Sequence, residues 1–355
     1  AADVTLHQAG SVPKNEFLTD LEKLDKLHSG EPEDVESQGS QGSADAMEID
    51  DGERNSREPV DMTKKIYNLD YQINVWSDYL RLHLHPKTVS LVQEYEHQSE
   101  SENFNAFTYG SQVMNSTKSS DDIEDRIRFF TEESDQLQGF QFSVDTFDGF
   151  SGLGCKLVEQ LSDEFSSKSI ITFATSPAHF PNSTTIEDSQ RVINSVLSYD
   201  GLCNHSSLCL PLCVSSTLWR QPGLATNFPN LIYDANLNYH SSAILAMALE
   251  TATLPYRLEN NCIQMSTITD ALSTMGRKLS SLSVSLPVPL STDSSLAEMF
   301  KHYTDLSPWQ PITPYCSQAS PQNCFAQTVS LRGIPKQLLK SPPIEGKHVV
   351  IWMKC

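Results

Sequence analysis

Apolar and polar residues alternate through Phe140, Phe142 and Val144, and the period then changes. Cys155, Val158 and Leu161 to Phe165 recur at spacings of three and four, opposite a face carrying Lys156, Glu159 and Asp163. The first pattern predicts a strand and the second an amphipathic helix. Ile170 to Phe173 is short, β-branched and aromatic, which predicts a buried strand. Together they predict a βαβ unit whose first strand ends on a glycine-bearing turn, Asp148-Gly149-Phe150-Ser151-Gly152-Leu153-Gly154. At that end of an open α/β sheet backbone N–H groups gather, and an anion can bind.

The same reading extends along the chain. Glu16 to Leu27 predicts a short helix with Phe17, Leu21, Leu24 and Leu27 on one face, and Ile66 to Leu84 has helical spacing with Trp76 and Tyr79 on its buried face. Glu94 to Thr117 lacks a period and predicts a loop with a short strand. Asp121 to Gln138 predicts a helix capped by Ser119, Ser120 or Asp121, its apolar face formed by Ile123, Ile127, Phe130 and Leu137. Further helices are predicted over Glu187 to Leu197, with Val192, Val196 and Leu197 inward, over Asn236 to Tyr256, buried on most sides, and over Met265 to Leu279. Strands are predicted at Leu208 to Val214, Ser281 to Leu290 and Cys324 to Arg332, and a loop at Leu218 to Asn230.

Charge narrows the functional classes. With 45 Asp and Glu against 25 Lys and Arg the formal net charge is -20. Nucleic acid is thereby disfavoured as a partner, since phosphate-backbone binding needs a cationic footprint. Anionic membranes would repel such a chain, so membrane association would be peripheral and mediated by another protein. No run approaches the roughly 18 to 20 apolar residues of a transmembrane segment. The residues before Arg54 include Asp3, Glu16, Asp20 and Glu22 and no arginine, unlike a secretory signal or a transit peptide. The 8 cysteines have no small-scaffold spacing and read as buried thiols.

Several residue groups invite chemistry. Gly149-Phe150-Ser151-Gly152-Leu153 approaches a nucleophile elbow, but Leu153 fills the last glycine position and no spacing nominates an acid–histidine pair. Cys203, His205, Cys209 and Cys213 fit no common zinc spacing, and His83 and His85 lack a third ligand. His240 and Glu250 read as a polar helix edge. No catalytic residue and no metal site is predicted.

The stretch from Leu137-Gln138-Gly139-Phe140-Gln141 through the Gly/Ser turn, the helix ending in Asp163-Glu164-Phe165 and the strand closing on Ser176-Pro177 resembles the tubulin superfamily. A closer resemblance, over most of residues 64 to 335, is to the Misato family. It rests on Val75-Trp76-Ser77-Asp78-Tyr79-Leu80, His83-Leu84-His85-Pro86, Asp148-Gly149-Phe150-Ser151-Gly152 and Tyr233-Asp234-Ala235. The resemblance implies an α/β fold: a tubulin-like Rossmann-type nucleotide domain with a core helix leading into a partial α+β intermediate domain. Set against the family, this sequence is expected to lack an amino-terminal segment that includes the first strand and the first phosphate loop.

On this resemblance GTP is the cofactor to consider. Its vestigial site would comprise Gly149, Ser151, Gly152 and Gly154 at the phosphates and Asn238 at the base. The family turn GGGTGSG is altered here, with Asp148 and Phe150 in place of two glycines. Phe150 would bring bulk against phosphate, while Asp148 stands either as a repelling charge or as a ligand for a bridging cation. Two like charges ~4 Å apart repel by about 1 kcal/mol in water and about 4 kcal/mol at an effective dielectric near 20. Asp270 is the one carboxylate near the place where the superfamily's hydrolytic acids act, so GTPase activity is not expected.

The chain is accordingly divided into residues 1–30, a segment with a short helix; 31–62, an acidic disordered linker; 63–256, the tubulin-like domain with its core helix; 257–335, the partial intermediate domain; and 336–355, a tail. The expected role is non-enzymatic: regulation of mitochondrial distribution, morphology and inheritance from the cytoplasm and the mitochondrial outer surface. Its partners would be proteins of the cytoskeleton or that surface. The alternative is a GTP-binding, polymer-forming GTPase of the tubulin/FtsZ type.

Overall fold

A computed structural model describes residues 15–29, 65, 67–70, 72–73, 85–93, 95, 103–180, 182–218, 224–260, 262–286, 309–316, 326–331 and 349–353. The acidic linker, most of the Ile66 to Leu84 helix and His83 lie outside the described residues. The chain forms two compact units, Ala1–Val89 and Ser90–Cys355. In the first, helix α1 (Glu16–Ser29) packs Phe17 edge-on against Tyr67, and its buried Asp20 accepts hydrogen bonds from Lys65 and Tyr67.

The second unit contains α2 (Phe107–Asn115), α3 (Thr117–Glu132), β1 (Gly139–Asp145), α4 (Gly149–Glu164), β2 (Ser169–Thr175), α5 (Thr185–His205) and β3 (Leu208–Leu212), followed by α6 (Asn238–Arg257) and α7 (Met265–Leu272). Strands β1, β2 and β3 form a parallel sheet in that order, with Phe140 beside Ile170 and Thr172 beside Cys209. Alternation along the strands separates two apolar layers. Ile170, Ala174 and Cys209 pack with Val158 and Leu161 of α4 and Leu202 of α5. Ile171, Phe173, Leu208 and Leu210 pack with Ile244, Ala248 and Tyr256 of α6 and Met265 of α7. The result is an α/β/α sandwich, and the glycine turn stands at its β1 carboxyl edge.

Short antiparallel pairs follow: β4 (Ser283–Val284) with β5 (Gln310–Pro311), and β6 (Gln327–Leu331) with β7 (Val349–Met353). Gln138 joins the sheet to the far layer: its side chain donates to the Tyr256 carbonyl and accepts from Met265 N–H.

Five sequence expectations require correction. Helix α2 occupies part of the stretch expected to be a loop with a short strand. Helix α3 starts at Thr117, with extended Ser116 as its N-cap, and stops at Glu132, freeing Gln138 for the bridge just described. Helix α5 runs on to His205 and turns Asn194, Ser195, Ser198 and Leu202 inward, while Val196 and Leu197 are exposed. The small inward residues let α5 approach α4 closely: a Cβ on Gly201 would fall 2.9 Å from Cys155 Sγ. In α6, burial falls on one face through Ser241, Ile244 and Ala248 and surrounds the helix only at Thr253 to Tyr256, and Met247 is exposed. Helix α7 ends at Leu272, where the chain enters a turn with Met275 at φ 61° and Gly276 at φ 74°.

Candidate functional site

The candidate site is the junction of β1 with α4. Asp148 has extended backbone, as an N-cap residue does, and its carboxyl accepts the Phe150 N–H at 2.9 Å, so the helix begins at Gly149. The predicted turn residues Gly149, Ser151, Gly152 and Gly154 therefore lie in the first turns of a helix rather than in a loop ahead of it. All four are buried.

A helix N-terminus offers an anion its unpaired N–H groups. Here the first of them are taken. Gly149 N–H donates to the Phe104 carbonyl at 3.0 Å, Phe150 N–H to the Asp148 carboxyl, and Ser151 N–H to the Asp148 carbonyl at 3.2 Å. Ser151 Oγ donates to the same carbonyl. Its hydroxyl is fully buried, which removes it as a nucleophile.

The approach to the turn is also closed, by helix α2, a stretch whose sequence shows no period. Helix α2 lies across α4 at glycines: a Cβ on Gly110 would fall 1.8 Å from the Gly149 carbonyl oxygen, and one on Gly152 1.8 Å from that of Phe107. A Cβ on Gly149 would meet the Phe104 ring at 2.8 Å, and one on Gly154 would meet Val144 at 2.5 Å. The space left by the missing side chains is thus filled by protein. Phe150 does not point into the turn as expected. It is 47% exposed and packs edge-on against Phe104, which in turn packs on Tyr95.

Asn194 holds this arrangement together and was not singled out in the sequence. From the middle of α5 its buried amide donates to the carbonyls of Asn105 and Phe147, both at 2.8 Å, and accepts Phe107 N–H at 3.0 Å. The last bond supplies the cap that Ala106 cannot give α2. A polar residue on the inward face of a helix was the available signal.

The electrostatics follow from burial. Desolvation, with Asp145 nearby, pushes the Asp148 carboxyl up to about 7. Burial also raises Asp145, against a hydrogen bond from the Thr175 hydroxyl at 2.8 Å. The corner presents two hard-to-ionise acids where a phosphate cradle needs donors. These residues do not fit a nucleotide phosphate.

Asn238, the predicted base reader, is the exposed first residue of α6, and among the described residues no hydrogen bond joins it to the turn. Asp270 is exposed on α7. His240 accepts the Asp234 N–H, and Glu250 pairs with Arg257, which accounts for both as helix-edge groups. Among the described residues no group of three His, Cys, Asp or Glu side chains converges on a metal site, and no helix is long and apolar enough to cross a membrane.

Comparison with known proteins places this geometry. A tubulin domain model matches residues 69–258. Protein misato homolog 1 of Homo sapiens is 36% identical over 334 residues, covering 94% of this chain and 57% of the relative. The Danio rerio protein of the same name is 36% identical over 97% of this chain and 58% of its own length, and protein misato of Drosophila melanogaster 31% identical over 79% and 49%. The chain spans little more than half the length of the human and Danio rerio relatives.

Proposed function

Because the chain belongs to the Misato family within the tubulin superfamily, we propose that it regulates mitochondrial distribution, morphology and inheritance through protein contacts, without turning over GTP. The observation that supports the absence of GTP turnover is the closed turn: the amides of Gly149, Phe150 and Ser151 already have protein acceptors, and α2 covers the glycines. A phosphate would have to displace the Asp148 cap, worth about 1 kcal/mol, and would meet a carboxyl group. What served an ancestor as a phosphate cradle serves here as a helix–helix packing surface.

The protein would act from the cytoplasm, docked peripherally on the mitochondrial outer surface. Its net charge of -20 favours a protein receptor there over direct contact with anionic lipid. Tubulin-like ancestry makes cytoskeletal proteins the second class of partner.

Two measurements test the proposal. Calorimetric titration of the full chain with GTP is expected to give no saturable heat up to millimolar nucleotide. Saturable binding with pelletable polymer would overturn it in favour of a polymer-forming GTPase. Removal of the protein from cells is expected to collapse or fragment the mitochondrial network, and an unchanged network would overturn the organellar role.

A further inference from the structure

The edge of the sheet opposite the glycine turn holds a second group of reactive side chains. Helix α5 ends at His205 and β3 begins at Leu208, so the connection is very short. Cys203, in the last turn of α5, is thereby packed against the buried layer that holds Cys209. Both belong to the layer that contains Cys155, whose own thiol is engaged by the Ser198 carbonyl at 3.4 Å.

The two partners differ in access. Cys209 is fully buried, and its backbone is held on the outer side of β3 by Lys278 and Ser280. Cys203 is partly exposed. Of the two, Cys203 lies nearer to solvent.

We propose that Cys203 and Cys209 form a reversible disulfide, with Cys203 as the thiol that meets a hydroperoxide and Cys209 as the thiol that resolves it.

The chemistry is balanced by the two thiols and one hydroperoxide. The Cys203 thiolate attacks the peroxide oxygen: an S–O bond forms, the O–O bond breaks, and the departing alkoxide or hydroxide takes a proton to leave as alcohol or water. Cys203 is then a sulfenic acid. The Cys209 sulfur attacks the Cys203 sulfur, the S–S bond forms, the S–O bond breaks, and the hydroxyl leaves as water with the Cys209 proton. The sulfurs together lose two electrons, which reduce the peroxide.

The surroundings suit these roles. The Cys209 thiol, assisted by the Lys278 cation, lowers Cys203 below the usual thiol range against the opposing effects of burial and the Asp200 charge. That same pairing, together with burial, pushes Cys209 far up, so it waits as a thiol. Cys155 is pushed up to about 11 by burial and is held by the Ser198 carbonyl, which leaves Cys209 as the resolving group. A metal is not the alternative, since among the described residues no third ligand joins them.

The test is made on the reduced, folded full chain. It is treated with hydrogen peroxide, quenched with an alkylating agent and digested for mass spectrometry. A Cys203–Cys209 linked peptide, lost on treatment with dithiothreitol, is expected to accumulate about ten-fold or more faster than oxidation of the exposed Cys262 or Cys316. Cys209→Ser is expected to divert Cys203 to the sulfinic acid, and Cys203→Ser to leave Cys209 unmodified. Oxidation of Cys262 or Cys316 with Cys203 and Cys209 still unlinked, or linkage of Cys203 to another cysteine, would overturn the proposal. The wild-type measurement does not depend on either variant folding.

Discussion

Gly110 of α2 stands directly against Gly149 of α4, so that a Cβ at 110 would fall 1.8 Å from the Gly149 carbonyl oxygen and 2.5 Å from Leu153 N. Both obstacles are backbone, which no rotamer change can move. Overpacking of this kind costs about 1–3 kcal/mol. Gly110→Ala and Gly152→Ala, the latter facing the Phe107 carbonyl, are expected to lower the denaturant midpoint by corresponding amounts. Gly154→Ala, which meets the Val144 side chain, is expected to cost less. Equilibrium urea unfolding checks the order, and an unchanged midpoint for Gly110→Ala would remove the interlock.

Asn194 makes a sharper prediction because it is isosteric with Asp. Its amide donates to the Asn105 and Phe147 carbonyls and accepts from Phe107. Asn194→Ala leaves these buried partners unmet, and at about 1 kcal/mol for each net hydrogen bond the loss is about 2–4 kcal/mol. Asn194→Asp keeps the acceptor but aims a carboxylate oxygen at two carbonyls, so at pH 8 it is expected to destabilise at least as much as Ala. In Asn194→Ala, hydrogen exchange should localise the effect to α2, with the Phe107 amide, whose acceptor is removed, losing protection first. Equal protection of α2 in wild type and variant would sink the assignment.

Why the βαβ unit was legible in the sequence and its cover was not has a physical answer. Strand and helix periods are local signals, and Phe140 to Val144, Cys155 to Leu161 and Ile170 to Phe173 carry them without interruption. In α2 the apolar stripe of Phe107, Val113 and Met114 is broken at Gly110, the residue that close packing against α4 requires. The feature that makes the helix fit also hides it. Closure of the turn depends on Phe104, Asn105 and Asn194, and the bonds from Asn194 to this segment join residues more than eighty positions apart. No local pattern reports such a pairing. The altered phosphate motif singled out Phe150 and Asp148; Phe150 turns outward, Asp148 acts by capping the helix, and Phe104, which the motif does not include, covers the turn.

The remaining prediction concerns Asp148 and pH. Its carboxyl is held at about 7 by burial and by Asp145, against an ordinary value of 3.8. A carboxyl whose pKa rises on folding binds a proton more readily in the folded chain, so between about pH 4 and pH 7 the folded state carries more protons than the unfolded one. Stability then falls as pH rises through that window and levels off above it. The rise from 3.8 to about 7 corresponds to at most about 4 kcal/mol. Asp145, raised by burial and bonded to Thr175, adds a slope of the same sign.

Asp148→Asn tests the cause because it keeps an N-cap acceptor of equal quality for Phe150 N–H and removes the ionisation. It is expected to match wild type near pH 4, to exceed it at pH 8 by about 1–3 kcal/mol, and to flatten the profile between them. Asp148→Ala loses the cap as well and should fall about 1 kcal/mol below Asp148→Asn at every pH. If Asp148→Asn were instead less stable than wild type at pH 8, the carboxylate would be serving a bound cation and not merely the helix. The question of a bridged phosphate at this turn would then reopen.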